Sequence, residues 1–294
     1  MPFYSPLRYP GGKRKLASFV LSLIEMNGLD QTAYVEPYAG GAAVALHLLL
    51  ETNVPRIVIN DVDPSIYSFW VAAKDHSEEL CRRVFDVRID MEEWRKQKAV
   101  QEARNPCCID LAFSTLFLNR TNRSGVLLAG VIGGKEQRGQ WRMSARFNRK
   151  ALISRIEAIS AEAHRLEVRG IDAAVLVKEL VADGESAFLF LDPPYYHKAD
   201  ERLYRNNYTP SDHEAIATLL GGLSLPWLLI YDDCSEVRDL YGSIEPVSFS
   251  ISYTAGKKHR GKELLFMAPG TVLPPINKRF KSWWVTDSSN VAIT

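Results

Sequence analysis

The segment Asp192-Pro193-Pro194-Tyr195 carries the strongest chemical signal in this 294-residue chain. It follows the continuous apolar run Ala187 to Leu191 (AFLFL), which reads as a fully buried strand. In an open α/β sheet, ligands sit beyond the carboxyl ends of the strands, so these side chains point at a site. Two consecutive prolines stiffen the backbone and remove two N–H donors. The carbonyl before Pro194 is then presented as an acceptor beside the Asp192 carboxylate. Two rigid acceptors next to the aromatic face of Tyr195 suit an exocyclic amine. Its N–H groups are taken up, its lone pair is steered at an electrophile, and its ring can stack once extruded from a nucleic-acid helix. Such an amine is a weak nucleophile, so orientation and electrostatics must supply most of the rate; orientation alone can reach ~7–11 kcal/mol. Asp192, Pro193, Pro194 and Tyr195 are therefore the candidate catalytic residues. The same four residues would also serve as a plain turn or as a Pro-rich ligand for a small recognition domain.

Glu36-Pro37-Tyr38-Ala39-Gly40-Gly41, between a short strand and a helix, has the geometry of a nucleotide-binding first turn, with glycines allowing close approach of a ligand. It lacks the G-x-G-x-x-G spacing of a dinucleotide site. Asp61 closes the next strand, where a carboxylate can accept from ribose hydroxyls; a helix cap or turn is the plainer role for it. Arg8-Tyr9-Pro10-Gly11-Gly12-Lys13 combines a Gly-Gly turn and a cation with Tyr9, whose ring offers a face to an adenine or a sulfonium; as a bare loop it would only start the following helix.

Charge is uneven. The net charge is only +1, yet residues 119–150 hold eight basic side chains against one acid, Glu136. Asn119, Arg120, Arg123, Lys135, Arg138 and Arg142 are candidates to track phosphates, as are Lys257 and Lys258 in a second basic loop. Asn119, Asn122, Gln137 and Gln140 add amides able to read base edges. A solvated surface is the alternative for both charge runs. The four cysteines show no Cys-x-x-Cys spacing, so neither zinc nor a disulfide framework is expected, which fits a reducing cytosol. No apolar stretch approaches the ~20 residues of a membrane span, and Met1 to Lys15 lacks the apolar region of a signal peptide. No cysteine motif points to the covalent adduct that methylation at C5 of cytosine requires.

The elements needed to position these groups can be read from periodicity. Leu16 to Met26 and Ala42 to Glu51 are helices; Ala33 to Glu36 and Arg56 to Asn60 are strands. Residues 65–103 look helical, with Trp70, Leu80, Val84, Phe85 and Trp94 turned inward, and Ile109 to Leu118 is a strongly apolar helix. An irregular basic stretch follows. The α/β rhythm resumes with a helix at Ala151 to Leu166, a strand at Glu167 to Arg169 and a helix at Ile171 to Leu180. After the AFLFL strand comes a helix capped by Ser211 with Glu214 in a capping box, then the strand Trp227 to Tyr231. Ser248 to Tyr253 and Glu263 to Met267 flank a hairpin loop.

Taken in order, Tyr9-Pro10-Gly11-Gly12-Lys13, Glu36 to Gly41, Asn60-Asp61-Val62-Asp63, Phe117-Leu118-Asn119-Arg120, Asp192 to Tyr195 and Gly261-Lys262-Glu263-Leu264-Leu265 resemble the adenine-N6 DNA methylases of the Dam type. The resemblance implies a class I S-adenosylmethionine-dependent methyltransferase fold: a Rossmann-like, mostly parallel sheet with an antiparallel final hairpin. It assigns 1–64 and 151–270 to catalysis, 65–150 to a mostly helical target-recognition insertion, and 271–294 to a tail. It implies that Tyr9, Lys13, Glu36, Gly40, Asp61 and Asp192 bind S-adenosylmethionine, with no metal. The partner it implies is double-stranded DNA, with a cognate restriction enzyme or other defence-system component as a candidate second partner and a monomer as the working form. N4-cytosine methylation, RNA adenine methylation and a non-catalytic DNA-binding subunit are the other readings.

Overall fold

The computed structural model describes residues 3–9, 11–197, 208–253 and 259–275, with backbone alone for 251–253 and 259–260. Among these residues seven strands form one sheet. They are β1 (Ala33–Glu36), β2 (Ile57–Asn60), β3 (Leu166–Arg169), β4 (Ala187–Leu191), β5 (Trp227–Asp232), β6 (Val247–Tyr253) and β7 (His259–Met267). Their order is β3-β2-β1-β4-β5-β7-β6. The first five are parallel, and β7 runs antiparallel between β5 and β6, as the expected fold class requires.

The strands alternate between two buried faces. Tyr34, Ile57, Ile59, Phe188, Phe190, Leu228 and Ile230 pack on one side with α1 (Ala17–Met26), α2 (Ala43–Glu51), α3 (Pro64–Asp75), α4 (Ser77–Asp86), α5 (Met91–Glu102), α6 (Cys108–Thr121) and α7 (Arg149–Ala161). Val35, Val58, Leu189, Leu191, Leu229 and Tyr231 pack on the other with α8 (Ala173–Ala182), α9 (Pro210–Gly221) and α10 (Ser235–Leu240). Burying one such side chain is worth ~1.5–3 kcal/mol, which keeps polar groups out of the centres of β1, β2, β4 and β5. They occur instead at the carboxyl ends: Glu36, Asn60, Asp232, and Asp192 directly after β4. The order reverses between β1 and β4, so the cleft opens where those acids collect. Asn60 ties three strand ends together. Its amide donates to Pro37 O and Ile171 O at 2.9 Å and accepts from Ile171 N at 3.0 Å.

One core cluster crosses residues 65 and 151, running from Leu16 through Trp70, Leu80, Trp94, Phe117 and Phe147 to Phe188. The helices from Pro64 to Thr121 pack into it as a layer on the sheet. Several other expectations need correction. Phe85 points outward and is 69% exposed. The cap of α9 is Thr209, with Asp212 completing the reciprocal box. Pro210 has no N–H to satisfy and suits the first helical position, so the helix begins before Ser211. The helix expected to reach Leu166 ends at Ala161, and α10 was not foreseen. Among the described residues no helix is long and apolar enough to cross a membrane.

Candidate active site

The turn after β1 is built around Tyr9. Gly40 has a left-handed φ of +46°, and a Cβ there would meet the Tyr9 ring at 2.5 Å. A Cβ on Gly41 would meet Tyr9 Cβ at 2.7 Å. These glycines make room for the aromatic side chain, so the close approach they permit is to Tyr9. The loop is pinned on both sides, because Gly40 N–H donates to Asp61 Oδ2 at 2.9 Å and Trp70 Nε1–H donates to Gly40 O at 2.9 Å. Glu36 acts on the start of α2: its Oε1 accepts from Ala45 N at 2.7 Å and from the Tyr34 hydroxyl at 2.9 Å. Burial pushes its carboxyl pKa up to about 8, opposed by those two bonds. Asp61 accepts from Asp63 N at 2.9 Å on its other oxygen. Burial raises its pKa to about 7 against the backbone bonds that favour the anion.

Across the cleft, Lys13 delivers its buried ammonium to Asp192 Oδ1 at 2.8 Å, Asp192 Oδ2 at 2.9 Å and the Tyr195 hydroxyl at 2.9 Å. The Tyr195 hydroxyl in turn donates to Glu263 on β7. Burial raises the Asp192 pKa, and the adjacent Lys13 charge and hydrogen bond pull it back. Asp232, at the end of β5, accepts from Tyr196 N at 3.1 Å and so holds the turn after β4. Among the described residues nothing donates to the Pro193 carbonyl, which leaves it open as an acceptor.

These groups surround one cleft of about 420 Å³. Every residue expected to bind cofactor (Tyr9, Lys13, Glu36, Gly40, Asp61 and Asp192) lines it, and so do Pro193, Pro194 and Tyr195. Asp172, which caps α8, lines it as well. Asp172 was missed because a lone Asp before a helix reads as a cap, and it is one.

The basic segment divides. Arg123, Lys135, Arg138 and Arg142 are exposed, and exposed Trp141 lies among them. Asn119 and Arg120 are not on this surface. Asn119 is 2% exposed, accepts from Arg8 N at 2.7 Å and donates to Arg8 O at 2.8 Å. The Arg120 guanidinium donates to Pro6 O, and burial beside Arg155 and Arg8 lowers its pKa to about 9. The reason is that α6 stays buried through Thr121, beyond the expected stop at Leu118. These two residues fasten the strand of chain that carries Tyr9. Asn122 and Gln137 likewise spend their amides within the protein: Asn122 accepts from Trp94 Nε1 at 2.7 Å and donates to Val126 O at 3.1 Å and Leu127 O at 2.9 Å, and Gln137 donates to Ile132 O and Gly134 O at 2.7 Å. Gln140 remains exposed. Lys257 and Lys258 lie outside the described residues.

A cleft at the reversal point of this sheet order, an acid directly after β2 and two acceptor groups with an aromatic ring after β4 fit the methyltransferase class, with an amine as acceptor. The chain belongs to the D12 class N6 adenine-specific DNA methyltransferase family, whose model matches residues 9–259. It is similar to the Type II methyltransferase M.MjaIII of Methanocaldococcus jannaschii, at 23% identity over 203 residues, which is 64% of this chain and 68% of that protein. Two solved structures of the rRNA methyltransferase aviRa from Streptomyces viridochromogenes align at TM-scores of 0.40 and 0.39. Their identities are 12% and 17%; they cover 89% and 88% of this chain, and 87% and 86% of their own. The family assignment selects adenine N6 in DNA from the readings that the motifs left open.

Proposed function

We propose that this chain takes the methyl group of S-adenosylmethionine and places it on N6 of an adenine extruded from duplex DNA at a specific sequence. The observation that carries the reading is that Tyr9 and Asp61 line the same cleft as Asp192 and Pro193. The cleft volume of about 420 Å³ falls in the ~300–1,000 Å³ range of small-molecule sites. Each Asp61 oxygen takes one backbone N–H and keeps lone pairs for the hydroxyls of a ribose. Tyr9, held against Gly40 and Gly41, offers an aromatic face, and Glu36 and Asp172 add acceptors on the cleft wall.

S-Adenosylmethionine, when bound, supplies an electrophilic methyl group. The chain's own residues do the rest. Asp192 and the Pro193 carbonyl accept the two N–H bonds of the adenine amine, which sets the direction of its lone pair. Tyr195 stacks on the base while its hydroxyl stays tied to Lys13 and Glu263. An amine arriving at Asp192 takes over an oxygen that Lys13 now holds, so Lys13 keeps the carboxylate ionised and aligned until the base enters. The proton lost from N6 finds Asp192 as its acceptor, a carboxyl that burial already makes more basic than usual. Arg123, Lys135, Arg138 and Arg142, in a recognition unit spanning 65–150, track the phosphates, and Lys257 and Lys258 of the second basic loop add to them.

We propose a monomer as the working form, with the cofactor side and the acceptor side of the cleft both lined by this chain. The likeness to a Type II methyltransferase supports a cognate restriction enzyme as partner. The test is sequencing of modified bases in DNA from cells expressing the wild-type chain or Asp192→Ala. The reading expects N6-methyladenine within one recurrent motif for the wild type and none for the variant. N4-methylcytosine, or marks unaffected by the substitution, would overturn it.

A further inference from the structure

Outside the cleft, three metal-ligating side chains meet at the junction of two strand ends. His197 stands two residues beyond Tyr195 on the segment leaving β4. Cys234 and Glu236 follow β5, with Glu236 in the first turn of α10. The His197 imidazole, the Cys234 sulfur and a Glu236 carboxylate oxygen all lie within 4.8 Å of one another. His197 Nε2 is 2.9 Å from Glu236 Oε1, so two of the three donors are already adjacent. The His197 ring also packs edge-on against Tyr196 at 5.2 Å between centroids, which restrains its orientation.

We propose that His197, Cys234 and Glu236 form a binding site for a thiophilic divalent cation, with zinc the best match. One nitrogen, one sulfur and one oxygen donor make a three-ligand set that zinc accepts, leaving a fourth position for water. Zinc bonds of ~2.0–2.3 Å place tetrahedral donors ~3.3–3.8 Å apart, so small side-chain rotations close the site. The ion replaces the His197–Glu236 contact. Its bond to sulfur forms as the thiol proton leaves to solvent, with no change of oxidation state. The site was invisible to sequence spacing because its ligands come from two segments separated by α9 and β5. Occupancy cross-links the residue that follows Tyr195-Tyr196 to the end of β5, which stiffens the junction that Asp232 already holds through Tyr196 N–H. The proposal does not depend on which base is methylated.

The vicinal Cys107 and Cys108 are exposed thiols that could hold metal by themselves, so the experiment uses the full chain with Cys107→Ser and Cys108→Ser as background. Cobalt(II) is titrated and the near-ultraviolet thiolate-to-cobalt charge-transfer band is followed. The expected result is a band saturating at one equivalent, displaced by zinc, accompanied by a higher melting temperature. Cys234→Ser removes the band. His197→Ala and Glu236→Gln each weaken the apparent affinity by on the order of tenfold or more, since even outer-shell partners are worth that much at metal sites. Absence of the band at sub-millimolar cobalt, its survival in Cys234→Ser, or an unchanged affinity in His197→Ala overturns the proposal.

Discussion

The Lys13 ammonium lies 2.8 and 2.9 Å from the two carboxylate oxygens of Asp192, residues 179 positions apart in sequence. Burial drives the Asp192 pKa upward and Lys13 restrains it, so the pair sets where the carboxylate titrates. Replacing Lys13 with Met leaves the burial in place and removes the restraint. The folded-state pKa then rises further, and the ionised form that accepts N–H bonds is lost at higher pH than in the wild type. The acidic limb of the kcat/KM profile should move to higher pH, with the loss greatest on the acid side. An unmoved limb would mean that another group controls the ionisation of Asp192.

Glu36 gives a stability prediction with a defined sign. Its pKa is raised from 4.5 to about 8 in the folded state. Between those values the native state holds a proton that the unfolded state has released, so stability falls as pH rises through this window, by at most ~1.4 kcal/mol per pH unit. Glu36→Gln keeps an acceptor for Ala45 N and Tyr34 and cannot ionise. Denaturation across the window should show a shallower pH slope for Glu36→Gln than for the wild type. Glu36→Ala should lose stability at every pH because it uncaps α2.

Gly40 and Tyr9 test each other. Gly40→Ala puts a methyl group 2.5 Å from the Tyr9 ring at a left-handed φ. The expected cost is ~1–3 kcal/mol of stability with a raised KM for S-adenosylmethionine. Adding Tyr9→Ala should recover the steric part of the stability loss, though not the KM. If the double variant is as unstable as the sum of the two singles, the glycine serves the backbone alone.

Asn119 and Arg138 should fail in opposite ways. Asn119→Ala breaks the clamp on Arg8 and leaves buried backbone groups unpaired, costing ~1–3 kcal/mol. Its melting temperature should fall while the salt dependence of DNA binding keeps its slope. Arg138→Ala should leave melting unchanged and reduce the slope of log K against log salt by ~0.9 if it holds one phosphate. The reverse pattern would return Asn119 to the DNA surface.

Local punctuation made much of this fold readable. Pro37 and the Asp192-Pro193-Pro194 run stop β1 and β4 at the bounds that their apolar runs suggest. What stayed hidden was tertiary. A basic side chain at the end of an apolar helix looks like surface, yet Arg120 is buried because the loop of residues 5–9 crosses it and supplies carbonyls. Gly40 reads as a ligand glycine until Tyr9, far away in sequence, is found against it. The ion pair of Lys13 with Asp192 has no local signature, because neither residue's neighbours reveal the other.

The most direct test of the account separates binding from chemistry at Asp192. Asp192→Asn keeps the size and one acceptor but loses the charge and adds a donor facing the amine. Single-turnover methyl transfer to a cognate duplex should slow by on the order of 10³-fold, with the duplex bound as tightly as by the wild type. A variant that methylates at the wild-type rate would contradict the assignment of Asp192 as the group that grips and deprotonates the amine.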